Sequence, residues 1–177
     1  LGIETLPDAA DPATPPRDLA PSPALSIIGN PPASFAGRRV GALICDGIDA
    51  TLIKELAAAL AEEGATLEII APKVGGARAA DGSLIPAMHM IDGGQSVLFD
   101  AVALLLTPEG AGRLAGDVAA RDVVSDAFAH CKFIAHTRGA EVLLEAVGVG
   151  PAADEGLIPL ETVAATDFVV ACRRLRL

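Results

Sequence analysis

The sequence predicts a doubly wound α/β domain, a mostly parallel sheet flanked by helices, entered through a proline-rich arm. Three observations carry this. Apolar runs of strand length alternate with stretches of helical periodicity, the arrangement that builds βαβ units. The strand-length runs are apolar throughout, as strands covered on both faces require. The apolar residues are chiefly Ala, Val, Leu and Ile, with Phe 5, Trp 0 and Tyr 0 in 177 residues, which suits a sheet packed between alanine-rich helices.

In chain order, residues 1–36 form the arm and 37–177 the domain. Eight of the 13 prolines (Pro7, Pro12, Pro15, Pro16, Pro21, Pro23, Pro31 and Pro32) fall within the first 32 residues, a density that forbids helix and favours extended, polyproline-type backbone. Composition alone is equally compatible with a disordered tail. Leu25, Ile27 and Ile28 point instead to a docking segment, because a solvated tail has no use for them. "RVGALIC" (39–45) then reads as a buried strand and "DGID" (46–49) as a turn. "ATLIKELAAALAEEG" (50–64) reads as a helix closed by Gly64, and "ATLEIIAP" (65–72) as a second strand ended by Pro72. A glycine-rich excursion follows (73–94), with short strands around Ser83–Leu84 and Met88–Met90. "DAVALLLT" (100–107) is a third strand, Ala119–His130 a helix and "KFIAHT" (132–137) a fourth strand. "GAEVLLEAVGV" (139–149) and "TDFVVACRRL" (166–175) are the last helices.

Composition also limits partners. The net charge is −10, with no basic stripe and almost no aromatic side chains, which argues against nucleic acid. No apolar stretch approaches the roughly 20 residues of a membrane span. Cys45, Cys131 and Cys172 lie far apart without a CxxC or metal-ligand spacing, so they read as buried free thiols of a cytoplasmic protein, and no metal site is expected. A first residue of Leu, without a signal pattern, reads as a piece of a longer chain.

Ligands of open α/β sheets sit at the carboxyl ends of the strands. The strand ends here are "CDGID", "APKVGG", "TPEGAG" and "HTRGA", which bring Asp46, Asp49, Glu109, His136 and Thr137 to one edge, a cluster fit for acid–base work. The competing reading is that such Asp and Thr residues cap the helices that follow. On that reading Thr137→Ala costs at most about 1 kcal/mol. Neither "GGARAADG" nor "EGAG" has dinucleotide or P-loop spacing, so no nucleotide or other cofactor site is expected. His89, between two methionines, reads as packed, and His130 as the end of a helix. "FIAHTRGA" has the strand–turn–helix shape of a nucleophile elbow, but offers neither Cys nor Ser at its apex.

"VGALICDGIDATLIKELAAALAEEGATLEIIAP" together with "KFIAHTRGAEVLLEAVGV" resembles the PfpI-type intracellular proteases and class I glutamine amidotransferases, a flavodoxin-like fold. That superfamily carries a Glu after the first strand and Cys-His-Gly at the elbow. By position these fall on Asp49, Thr137, Arg138 and Gly139, so only the glycine is unchanged. A Thr hydroxyl needs a strong base to become a nucleophile, and Arg138 stays protonated. The linker "TPPRDLAPSPALSIIGNPP" joined to "IIAPKVGGARAADGSLIPA" resembles the C-terminal part of large-subunit haem catalases, across nearly the whole chain. This resemblance implies a non-catalytic domain with a vestigial site (Asp49, Thr137, Arg138, Gly139). Its role would be structural, stabilising, oligomer-packing or chaperone-like. It also implies that the haem belongs to the parent chain, since catalase iron takes a Tyr and this chain has none. The implied partners are the catalase core and further subunits of a homo-tetramer. Two alternatives stay open: a residual hydrolase or lyase acting through Asp49, His136 and Thr137, and a small-ligand module at the strand ends.

Overall fold

The computed structural model describes residues 8–26, 29–150 and 154–176. The chain divides into two units, residues 1–30 and 31–177. In the first, every described residue is exposed. Its local order is a 3₁₀ turn at Pro23–Leu25, beside which the Asn30 amide donates to the carbonyls of Pro23 (2.8 Å) and Ser26 (2.9 Å). Leu25 is 83% exposed; Ile27 and Ile28, the other two residues of the expected docking segment, lie outside the described residues.

The second unit is built on a six-stranded sheet of β1 (Arg39–Ile44), β2 (Thr66–Ala71), β5 (His89–Met90), β6 (Ala101–Leu105), β7 (Ile134–His136) and β8 (Leu157–Pro159). Its order is β5-β2-β1-β6-β7-β8, and every pairing is parallel. The excursion forms a separate antiparallel hairpin, β3 (Ala77–Arg78) with β4 (Leu84–Ile85). Helices α1 (Ala50–Glu62) and α5 (Ala165–Cys172) cover one face, where Ile53, Leu56, Leu60 and Phe168 join Val40, Ala42 and Ile44. Helices α2 (Pro108–Leu114), α3 (Val118–Ala129) and α4 (Glu141–Ala146) cover the other, where Leu114, Val123, Val124 and Leu144 pack on Leu43, Val102 and Leu104. Both faces of β1 and β6 are therefore apolar, as their uninterrupted runs require.

The structure departs from the sequence reading in particular places. The TPEGAG stretch is helical: Thr107 accepts the Gly110 N–H (3.1 Å) and Pro108 occupies the first turn. These are start signals, which the two glycines among seven residues obscured. β8, only three residues long, has no strand-length apolar run to signal it. The 139–149 helix is a 3₁₀ turn, Arg138–Ala140, followed by the shorter α4. The fourth strand begins at Ile134 rather than Lys132, because residues 131 and 132 complete the cap of α3.

That cap explains a second departure, the exposed Cys131. Helices α1, α3 and α4 end alike. The residue after each C-cap donates three residues back, and its successor donates to the carbonyl five residues earlier: Gly64→Ala61 and Ala65→Leu60, Cys131→Phe128 and Lys132→Ala127, Gly148→Glu145 and Val149→Leu144. This is the Schellman arrangement, whose first such residue takes left-handed backbone. Gly64 (φ 74) and Gly148 (φ 78) adopt it without strain, whereas Cys131 (φ 54) carries a Cβ into it. Cys45 and Cys172 are buried, and burial pushes the Cys172 thiol up. We expect Cys131→Gly to raise stability by about 0.5–1 kcal/mol. We also expect a native-state thiol reagent to modify Cys131 promptly and Cys45 and Cys172 slowly; denaturant titration and mass-resolved labelling check the two.

Glu63, just past α1, ties three segments together. It accepts the Phe35 N–H (2.9 Å) and both arms of the Arg173 guanidinium (2.8 and 2.7 Å). Phe35, at the entry to β1, is thereby held in the core, and the end of α5 is fixed to the end of α1. Arg173, with the Phe35 amide second, holds the Glu63 carboxyl down from its ordinary 4.5 to about 2. A carboxyl depressed in the folded state stabilises above its unfolded pKa and loses that contribution as pH falls towards the folded one. The melting temperature of Glu63→Gln should therefore lie below that of the wild-type chain at pH 6. The gap should narrow as pH drops from 4.5 towards 2.

Candidate functional site

The site candidates separate onto the two faces of the sheet. Asp49 and Thr137 line one cleft of about 340 Å³, with Ile48, Thr51, Leu160 and Glu161. Asp46 lies on the opposite side, in a cleft of about 470 Å³ with Cys45, Lys73 and Arg113. There it accepts the Arg78 N–H (2.8 Å) and faces Lys73 at 3.7 Å. The Arg78 amide is the main cause that draws its carboxyl below the usual range. Glu109 is exposed and paired with Arg113 at 2.8 Å. The strand-end carboxylates thus do not converge on one reacting point. Among the described residues no group of three or more His, Cys, Asp or Glu could hold a metal ion.

Asp49 spends its carboxylate on α1, accepting the Thr51 N–H at 2.8 Å. This is the capping role. Thr137 does something different. Its hydroxyl lies 2.7 Å from the Leu106 carbonyl, to which it donates, and accepts the Leu106 N–H at 3.0 Å. Its own N–H reaches the Leu104 carbonyl at 3.0 Å. The side chain is buried and makes no capping bond to the following turn. It extends the pairing of β6 and β7 beyond the last bridged residues.

At an elbow the N–H after the nucleophile normally helps hold a developing oxyanion. Here that amide, Arg138 N–H, donates to the Glu161 carboxylate at 2.6 Å. Glu161 follows β8, a strand absent from the sequence reading, and no local motif signals it. Gly139 permits the close approach: a Cβ there would sit 2.8 Å from Thr107 C and 2.9 Å from Pro108 N, with Leu106 O nearer still.

His136 is 1% exposed. Strand alternation puts it on the face of Ile134, away from the elbow cleft. Its Nδ1 is 3.3 Å from the Thr137 carbonyl, and its Nε2 has no partner among the described residues, so it reaches neither Asp49 nor Thr137 as a base. His89 pairs with Glu68 (2.7 Å) and stands edge-on to Phe99.

Solved structures share the architecture. Oxidised Toxoplasma gondii DJ-1 is 16% identical, with TM-score 0.59 over 76% of this chain and 88% of that one. A mutant DJ-1 superfamily protein from Salmonella typhimurium is 24% identical, with TM-score 0.56 over 63% of this chain and 62% of that one. The fold is thus DJ-1/PfpI-like, as the elbow sequence suggested. Within that class, residues 36–172 match the model of the C-terminal domain found in long catalases, and the chain belongs to that family. Catalase C of Rhizobium meliloti is 49% identical over 99% of this chain and 25% of its own length. Catalase HPII of Pseudomonas aeruginosa is 33% identical over 76% of this chain and 19% of its own. The chain spans about a quarter or less of the curated relatives it matches.

The Leu106 N–H finds its acceptor in Thr137, so Thr137→Val strands a buried donor and should cost about 1–3 kcal/mol, more than the capping estimate. Thr137→Ser keeps the hydroxyl and should cost less. Gly139→Val should exceed both, because backbone atoms stand where its side chain would go. Urea denaturation of the three variants provides the ranking.

Proposed function

We propose that this domain is a non-catalytic packing and stabilising module of a long haem catalase. On this reading, peroxide decomposition belongs to the part of the polypeptide outside residues 1–177. The observation that carries the reading is the closure of the elbow: the Thr137 hydroxyl is committed to the Leu106 backbone, and the Arg138 amide to Glu161. A nucleophile and an oxyanion site would both have to be freed before acyl or aldehyde chemistry began there.

The donor set of this chain does not fit catalase haem. It contains no Tyr, His136 is sealed in the core, and His89 is held by Glu68. Haem is accordingly assigned to the catalase core of the parent chain, and the module to packing against that core and within a homo-tetramer. A chaperone-like contribution would act through the same stabilisation. Among the described residues no helix is long and apolar enough to cross a membrane, and the cysteine usage favours a cytoplasmic setting.

The test uses the long polypeptide. Phe168, on the inner face of α5, is fully buried, and Phe168→Ala should destabilise the domain by about 3–5 kcal/mol. Peroxide turnover per haem at 25 °C should be unchanged, while heat inactivation should be faster. An immediate fall in turnover with the fold intact would give the domain a part in catalysis.

A further inference from the structure

Along the outer side of α1 runs a groove that begins at the elbow cleft. The cleft and a second hollow of about 360 Å³ share Leu52, Glu55 and Leu160, which makes them one continuous depression. One wall is the α1 stripe Leu52, Glu55, Ala59 and Glu62, recurring every three or four residues. The other is Leu160 and Ala165, at the entry to α5. The floor is therefore leucine and alanine, shallow enough for a polypeptide backbone to come close.

Its edge is acidic. Glu55 and Glu62 are both exposed, and neither forms an ion pair among the described residues. No Lys or Arg lines either part of the groove. The two carboxylates are seven residues apart on α1, about 10.5 Å along its axis. An extended chain of polyproline type, with about 3.1 Å rise and three residues per turn, covers nearly that distance between positions i and i+3 and presents both on one side.

We propose that this groove receives an extended segment of the parent polypeptide from outside residues 1–177, with small apolar side chains on the floor and two basic residues facing Glu55 and Glu62. The proposal rests on the packing-module reading above. Charge selects the occupant: the chain carries a net −10, so a second copy would bring like charge to an acidic edge. The family supplies the source, since the Rhizobium meliloti relative is about four times as long as the matched region.

Carbodiimide-promoted labelling of carboxylates with glycine ethyl ester tests this in the native long polypeptide, with exposed Glu145 on α4 as the internal reference. Glu55 and Glu62 should react about ten-fold more slowly than Glu145, the ratio that 1.4 kcal/mol of protection gives. High salt should narrow the difference by screening the ion pairs. Equal rates at low salt overturn the groove proposal and leave the packing module standing. Protection that rises with protein concentration overturns it as well, because the occupant is then another molecule. A natural polypeptide of only 177 residues overturns the packing-module reading itself.

Discussion

The Thr137 hydroxyl, set between the Leu106 N–H and C=O, is the interaction on which the rest of this domain's character depends. It is a side chain completing a sheet. Pairing of β6 and β7 ends at Leu104 and His136, and beyond that point the two chains would separate with unsatisfied backbone groups in a buried setting. The hydroxyl closes that gap because it donates and accepts at once. Gly139 then lets the following turn lie against Leu106, Thr107 and Pro108. A reactive side chain at this position would have to give up that bond to reach a substrate.

The same use of polar groups recurs around the fold. Asp49, Thr107 and Asp117 hold the first turns of α1, α2 and α3. Glu63 joins Phe35 to Arg173, and the buried Lys132 ammonium bridges the carbonyls of Ser96 and Phe99 at 2.5 and 2.8 Å. Burial, with Arg176 nearby, draws the Lys132 pKa below the usual range, but its two carbonyl partners satisfy it as a donor. The exception among the described residues is His136 Nε2, a buried nitrogen without a partner there.

Much of this was legible in the sequence because the signals were local and redundant. The β1–α1–β2 unit announces itself through an apolar run, a capping Asp, a helical stripe and Gly64. Asp49 could be read as a cap for the same reason. β8 and α2 were less visible: one is three residues long, and the other carries two glycines. The cap of α3 misled because Cys131 occupies a position that Gly fills in α1 and α4. The residues at the elbow were visible, but the contact of its amide with Glu161 was not. Glu161 lies 23 positions from Arg138, and only the placement of β8 beside β7 joins them. Thr137 fits a cap in the sequence because the sequence gives the residue type and not the direction of its hydroxyl.

That non-local contact also bears on what a nucleophile placed at the elbow would meet. A thiol set at position 137 would stand one residue before an amide already bound to a carboxylate. Negative charge near a thiol raises its pKa and lowers the thiolate fraction, so Glu161 opposes the species that attacks. It also occupies an N–H that an oxyanion would need. Asp49 is turned to the Thr51 N–H, and His136 faces the other side of the sheet. Restoring one side chain therefore leaves the carboxylate, the capped acid and the remote histidine in place. Each of these groups has a structural partner or a buried position of its own, so the arrangement around the elbow is set by the packing of the domain rather than by any one side chain.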